Sequence, residues 1–182
     1  NAARVALHRW AQERPDDEAL VGWSEDGYRE SLTWADASRQ ATQLAEALHG
    51  LGIGEGDRVA IFMPMCPAVA VASHACAHLG AVQVPIFSGF AAPSIAARLE
   101  DSQAKVVLCA DWSLRRGKRI EMRETLEEAG PFAVEHVVAW NRETGSWPEI
   151  VTKQPCALAP AELDSEAPYL LAYTSGTTGR PK

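Results

Sequence analysis

At 182 residues, with 47% hydrophobic and 23% charged residues, the chain has the size and composition of one globular unit or slightly more, which excludes a disulfide-dependent miniprotein, a disordered tail and a membrane bundle. Lys and Arg total 17 and Asp and Glu 24, a formal charge of −7, which excludes a broad basic surface tracking nucleic-acid phosphates, so any anion site must be local. The four cysteines, Cys66, Cys76, Cys109 and Cys156, form no CxxC pair, and reduced thiols in the cytoplasm are expected.

In chain order, Val5, Ala6, Leu7 and Trp10 predict a helix over residues 2–12, ended by Arg14 and Pro15. Residues 19–23 and 28–32 flank the polar turn 24–27 and predict a strand hairpin. Thr33 is an N-cap with Asp36 three residues on, and Ala37, Ala41, Leu44, Ala45 and Leu48 mark the inner face of a helix that Gly50 stops. After the glycine-rich link 52–57, helical and strand signals alternate. Strands are predicted at 59–63, 81–86, 105–109, 136–140 and 169–173, and helices at 68–79, 93–101 and 118–129. This alternation predicts an α/β fold with a parallel, doubly wound sheet. Residues 1–50 are expected to form a helix, hairpin and helix against it, and residues 51–182 the α/β subdomain. The polar, proline-containing stretch 142–167 reads as a surface excursion. The most apolar stretch, 68–84, is interrupted by His74, His78 and Gln83, so neither a membrane span nor a signal peptide is expected, and both chain ends read as cut.

The last predicted strand runs into YTSGTTGRPK, residues 173–182. Five of these ten residues are hydroxyl side chains, with Gly176 and Gly179 between them and Arg180 and Lys182 behind. Glycines let backbone N–H groups close on an anion, hydroxyls add donors and lysine adds a compact charge, a composition suited to a polyphosphate. The end of a sheet strand is also where open α/β sheets bind ligands. The Walker pattern is not met, because Arg180 and Pro181 separate Gly179 from Lys182, and Pro181 opposes direct passage into a helix. The loop therefore reads as a hydroxyl-rich flap.

YTSGTTGRPK resembles the phosphate-loop signature of the AMP-forming adenylating enzymes, which include acyl-CoA synthetases, luciferases and the adenylation domains of peptide synthetases. LTWADASRQATQLAEAL at 32–48, GIGEGDRVAIFMP at 52–64 and HLGAVQVPIF at 78–87 extend the resemblance over nearly the whole chain. Two further segments, IFSGF at 86–90 and DWSLRRGKRI at 111–120, resemble the acetyl-CoA and propionyl-CoA synthetase branch, where a glycine-phenylalanine turn and a basic turn contact coenzyme A. Arg115, Arg116, Lys118 and Arg119 form a dense basic cluster in an acidic chain, as a ligand carrying a 3′-phosphate and a pyrophosphate requires. Cations opening the helix predicted at 118–129 oppose its dipole, which a phosphate partner would explain. Ser88, where the branch usually has glycine, and Ala91–Ala92–Pro93, where it has a serine-capped helix start, depart from that pattern.

The resemblance implies an enzyme that joins a short-chain carboxylate, ATP and coenzyme A, with Mg2+, through an acyl-adenylate. It assigns Thr174, Ser175, Gly176, Thr177, Thr178, Gly179 and Lys182 to the ATP phosphates, and Phe87, Gly89, Arg115, Arg116, Gly117 and Lys118 to coenzyme A. It further implies that the chain is roughly the first third of the enzyme. The adenine site, acyl pocket, metal-binding glutamate and lysine-bearing C-terminal domain would then lie beyond Lys182, leaving no catalytic residue in these 182 residues. A carrier-protein-loading adenylation domain, a non-catalytic nucleotide-binding module and a P-loop hydrolase are the other classes. His74 and His78 are spaced as zinc ligands but lack an intervening acid and read as a packed pair. Ser175 lacks GxSxG and assignable partners. Glu124, Glu127 and Glu128 read as a wet helix face, and Trp10 and Trp34 as core.

Overall fold

The computed structural model describes residues 1–131 and 133–174. The chain opens with a π-helical turn, Arg4–His8, that passes into α1, Arg9–Glu13. Of the predicted apolar face only Leu7 is buried, while Val5 is exposed and Trp10 is half-buried with its ring 5.9 Å from that of Trp34. The two tryptophans thus shield the core from its margin and are not inside it. Strands β1, Glu18–Trp23, and β2, Arg29–Thr33, pair antiparallel as the polar turn predicted. Helix α2, Trp34–Gly50, starts as expected: Thr33 Oγ1 accepts the Asp36 N–H at 3.1 Å, and the Asp36 carboxylate lies in the positively polarised first turn. Its alanine and leucine face is buried and packs on α3.

The remaining elements are β3 (Arg58–Phe62), α3 (Pro67–Leu79), β4 (Val82–Ile86), α4 (Ala92–Ser102), β5 (Val106–Ala110), β6 (Trp112–Arg115), β7 (Lys118–Glu121), α5 (Met122–Glu128), β8 (His136–Trp140) and the short α6 (Glu149–Thr152). Strands β4, β3, β5 and β8 lie side by side in that order and all run parallel. Every residue of β5 and four of five in β3 are buried, because helices cover the sheet and an uninterrupted apolar run is the pattern such strands need. The carboxyl ends of β3, β4 and β5 therefore open onto one edge.

Three expectations are corrected. The helix predicted over 118–129 begins only at Met122, since residues 118–121 form β7 and pair with β6. Arg116 and Gly117 both have positive φ, 52° and 70°, as a two-residue type I′ turn requires, and this turn folds the basic stretch back on itself. The cations consequently do not open a helix, and no helix dipole opposes them. The stretch 142–167 is more than a surface excursion: Trp147 and Val151 are buried, and Glu46 of α2 accepts the N–H groups of Cys156, Ala157 and Leu158. The strand predicted at 169–173 is reduced to one parallel bridge, Gln83 with Leu170, made by Gln83 N–H to Tyr169 O (3.2 Å) and Leu171 N–H to Gln83 O (2.9 Å). Among the described residues, no helix is long and apolar enough to cross a membrane.

Candidate functional site

Two loops from the carboxyl edge of the sheet carry the predicted basic and aromatic residues. After β4 the chain closes a turn with Phe90 N–H to Phe87 O at 3.0 Å. After β5, Asp111 anchors the β6–β7 hairpin at its base. Its carboxylate accepts the N–H groups of Trp112 (2.8 Å) and Arg142 (3.0 Å), and its carbonyl accepts those of Met122 (3.0 Å) and Arg123 (3.1 Å).

These two loops meet through Arg115. Its guanidinium carbon lies 4.8 Å from the centre of the Phe87 ring, a cation–π distance, and Phe90 meets the same ring edge-on at 5.4 Å. Gly89 makes room for this arrangement. A Cβ there would overlap Arg115 Nη1 outright, lie 2.7 Å from its Cζ and come within 2.9 Å of the Phe87 ring. Phe87, Gly89 and Arg115, distant in sequence, are thus brought together, and one face of Phe87, half exposed, already carries a cation. Lys118 pairs with Arg115 in the hairpin register, which puts both side chains on one face of the ribbon. The rest of the predicted cluster is arranged differently. Arg119 is engaged by Glu121 and stacks over Trp112 at 4.5 Å, so its charge is already matched, whereas Arg116 sits exposed at the turn.

A residue that the sequence did not single out enters here. Glu25, from the β1–β2 turn, accepts the Gly117 N–H at 2.9 Å. Backbone hydrogen bonds from Arg116 and Gly117 hold its carboxyl below the usual carboxylate range. The contact spans 92 positions, so no local pattern announces it. Glu25, Ser88 and Arg115 line a cavity of about 400 Å³ between the two hairpins, walled also by Trp23, Trp112 and Met65.

The residues assigned to the ATP phosphates lie outside the described residues, from Ser175 through Gly179 and at Lys182; only Thr174 is described. The segment leading to them runs parallel to β4, toward the edge that carries Phe87. Just before it, the Tyr173 hydroxyl donates to Asp101 at 2.6 Å and its ring faces Arg98, which also covers Phe90 at 4.2 Å. Burial and the Asp101 carboxylate push the Tyr173 phenol up to about 12.

Of the two spaced histidines, His78 is buried and packed through a partner that the spacing did not reveal, His8, whereas His74 is half-buried and its buried Nδ1 makes no hydrogen bond. His78 Nε2 faces Leu158 O at 2.9 Å and must carry the proton, so its Nδ1 accepts from His8 Nε2 at 2.9 Å, and His8 Nδ1 accepts from the Ser38 hydroxyl at 2.7 Å. The four cysteines are free, and burial raises Cys66 to about 11 and Cys76 and Cys109 to about 12, values at which none of these three is a ready nucleophile. Among the described residues, no group of three or more His, Cys, Asp or Glu could hold a metal ion.

Comparison with known proteins identifies the relatives of the chain. The chain is 38% identical over 198 residues to the acetyl-coenzyme A synthetase of Cronobacter sakazakii, covering all of this chain and 30% of that protein. It is 42% identical over 187 residues to that of Rhodopirellula baltica, covering 91% of this chain and 28% of the other. Among solved structures, the acetoacetyl-CoA synthetase from Streptomyces lividans superposes with a TM-score of 0.88 at 30% identity, over 100% of this chain and 29% of that one. The chain therefore spans about 30% of the length of the curated relatives it matches. The AMP-binding enzyme family model matches residues 7–182, and the chain belongs to that family.

Proposed function

We propose that this chain is the nucleotide- and coenzyme-binding N-terminal part of an AMP-forming acyl-CoA synthetase that activates acetate or another short-chain carboxylate in the cytoplasm. In the first step the carboxylate attacks the α-phosphate of ATP, forming an acyl-adenylate and releasing pyrophosphate. In the second, the thiolate of coenzyme A attacks the acyl carbon and AMP leaves. A carboxylate is a poor electrophile and AMP a good leaving group, so catalysis rests on positioning and on neutralising charge that moves onto pyrophosphate. Thr174, Ser175, Gly176, Thr177, Thr178, Gly179 and Lys182 take the β- and γ-phosphates in this reading, and magnesium would arrive with the triphosphate. Phe87, Gly89, Arg115, Arg116, Gly117 and Lys118 take coenzyme A. The division at residue 50/51, with the helix, hairpin and helix packed on the α/β subdomain, belongs to the same reading.

The observation that carries this proposal is the convergence of Phe87, Gly89 and Arg115 at the carboxyl edge of the sheet, in a chain whose relatives are acetyl-coenzyme A synthetases. An aromatic face, a stacked cation and a glycine cradle suit an adenine nucleotide bearing phosphates. The test is thioester formation from acetate, ATP and coenzyme A by the full-length protein. Arg115→Ala is expected to raise the KM for coenzyme A about tenfold or more, consistent with the loss of a charged contact. An acetyl transfer that proceeds to a carrier protein and not to free coenzyme A would overturn the branch assignment. Residues 1–182 alone are expected to show no acetate-dependent exchange of pyrophosphate into ATP, and exchange above that of a Lys182→Ala chain would refute that part.

A further inference from the structure

The β6–β7 turn offers two backbone donors that its own hairpin cannot use. Arg115 and Lys118 close the ladder, which leaves the consecutive N–H groups of Arg116 and Gly117 outside it. Successive amides at a turn with positive φ form a concave anion receptor, and here Arg115 and Arg116 add positive charge beside it. A carboxylate from a distant hairpin fills it: Glu25 accepts from Gly117 at 2.9 Å and from Arg116.

Neither hairpin needs this contact to hold its shape. The β1–β2 turn is closed by Ser24 N–H to Tyr28 O (2.9 Å) and Gly27 N–H to Ser24 O (3.0 Å), and the Asp26 carboxylate accepts the Tyr28 N–H (3.1 Å). The β6–β7 turn is closed by its own register. Glu25 itself is exposed, and its carboxylate borders the cavity shared with Arg115 and Ser88. A phosphate carries more charge and more acceptor oxygens than a carboxylate, and the turn amides that Glu25 occupies lie at the exposed hairpin tip, next in sequence to Arg115, where such a group can reach them.

We propose that Glu25 is a built-in competitor for the anion receptor at the Arg116–Gly117 turn, occupying its amides in the unliganded protein and yielding them to the 3′-phosphate of coenzyme A. The inference rests on the coenzyme reading above and adds to it a residue that sets affinity by opposing the ligand.

The experiment measures KM for coenzyme A and for dephospho-coenzyme A, which lacks the 3′-phosphate, in the full-length protein and its Glu25→Gln variant, with Arg115→Ala as reference. Removing the competing charge is expected to lower the KM for coenzyme A about three- to tenfold and to move that for dephospho-coenzyme A less than about twofold. Glu25→Asp, whose shorter arm withdraws the carboxylate from the amides, is expected to shift the KM for coenzyme A in the same direction by less, and carries the test if Glu25→Gln fails to fold by thermal melting. An unchanged or raised KM in these variants, with Arg115→Ala still impaired, overturns the competitor role alone. Equal gains for both coenzymes also overturn it, because the 3′-phosphate would then not be the displacing group. If Arg115→Ala binds coenzyme A normally, the coenzyme reading itself fails.

Discussion

The parallel sheet and the hairpins at its carboxyl edge are built on opposite principles. In β5 all five residues are buried, and its neighbour β3 is nearly so, whereas β6 and β7 together contain one buried residue, Ser113. The sheet is held by apolar burial, roughly 25 cal/mol per Å² removed from water, summed over many side chains. The β6–β7 hairpin is held by its own ladder, by Asp111 at the base and by cations stacked on Trp112 and Phe87, and the Glu25 contact only links its tip to the β1–β2 turn. The difference separates stability from ligand contact: residues that could touch a ligand contribute little to folding, and those that fold the chain are out of any ligand's reach.

The largest expected effect tests the first half of that contrast. Phe62 is fully buried at the end of β3, and Phe62→Ala leaves a cavity that the surrounding strands cannot fill. A loss of about 3–5 kcal/mol is expected in urea denaturation of the chain. A loss below about 1 kcal/mol would mean that the sheet is not where the stability resides.

Gly89→Ala tests the other half. The new Cβ would overlap the Arg115 guanidinium and drive it off the Phe87 ring, while the surroundings of Gly89 are otherwise exposed. The expected outcome in the full-length protein is a rise in KM for coenzyme A of about tenfold, with stability altered by less than about 1 kcal/mol. A large stability loss without a KM change would show that the glycine serves packing alone.

The same contrast explains what the sequence disclosed. Strands β3, β4, β5 and β8 were legible because a strand covered on both faces must be an apolar run, and α2 because Thr33 and Asp36 mark its start. The β6–β7 hairpin was not, because its turn is Arg116–Gly117, and the usual signal is an asparagine or aspartate before the glycine. Its residues 118–121 continue without a break into the helical spacing of Met122 and Leu126, so the sequence pattern carries the helix back over them. Phe87 and Arg115 were recognised through family resemblance. That Gly89 seats the Arg115 guanidinium, and that Glu25 accepts the Gly117 N–H, depend on contacts between distant segments that no local pattern encodes. Tyr169 to Tyr173 read as a full strand from their apolar character, yet only one bridge forms beside β4, leaving Tyr169, Leu170 and Leu171 substantially exposed.

The smallest expected effect concerns a third kind of bond, the polar seam that fastens the N-terminal helical segment to α2 and α3. His8 is bound between Ser38 of α2 and His78 of α3, and His78 reaches on to Leu158. Burial, and then the neighbouring His78 and His74, lower His8 from 6.5 to about 4, and burial lowers His78 as well. Both rings are therefore neutral in the folded chain at neutral pH. Between pH 6.5 and about 4 the unfolded chain binds more protons than the folded one, so stability contributed by the seam is complete above that window and falls as pH drops through it. His8 remains partly exposed, so after allowance for screening the loss is on the order of 1 kcal/mol, smaller than that of a core truncation. Carboxylates held low by partners, such as Asp36 and Asp57, also lose stability in acid, so the informative quantity is a difference. Urea midpoints at about pH 7.5 and about pH 5 are expected to diverge less for His8→Gln than for the parent chain, because glutamine keeps a donor and an acceptor but takes up no proton. Equal divergence would mean that the protons are taken up elsewhere, and that the N-terminal segment is fastened by its other contacts, buried Ala3 and Leu7 and the Asn1 side chain that donates to Ala77 O.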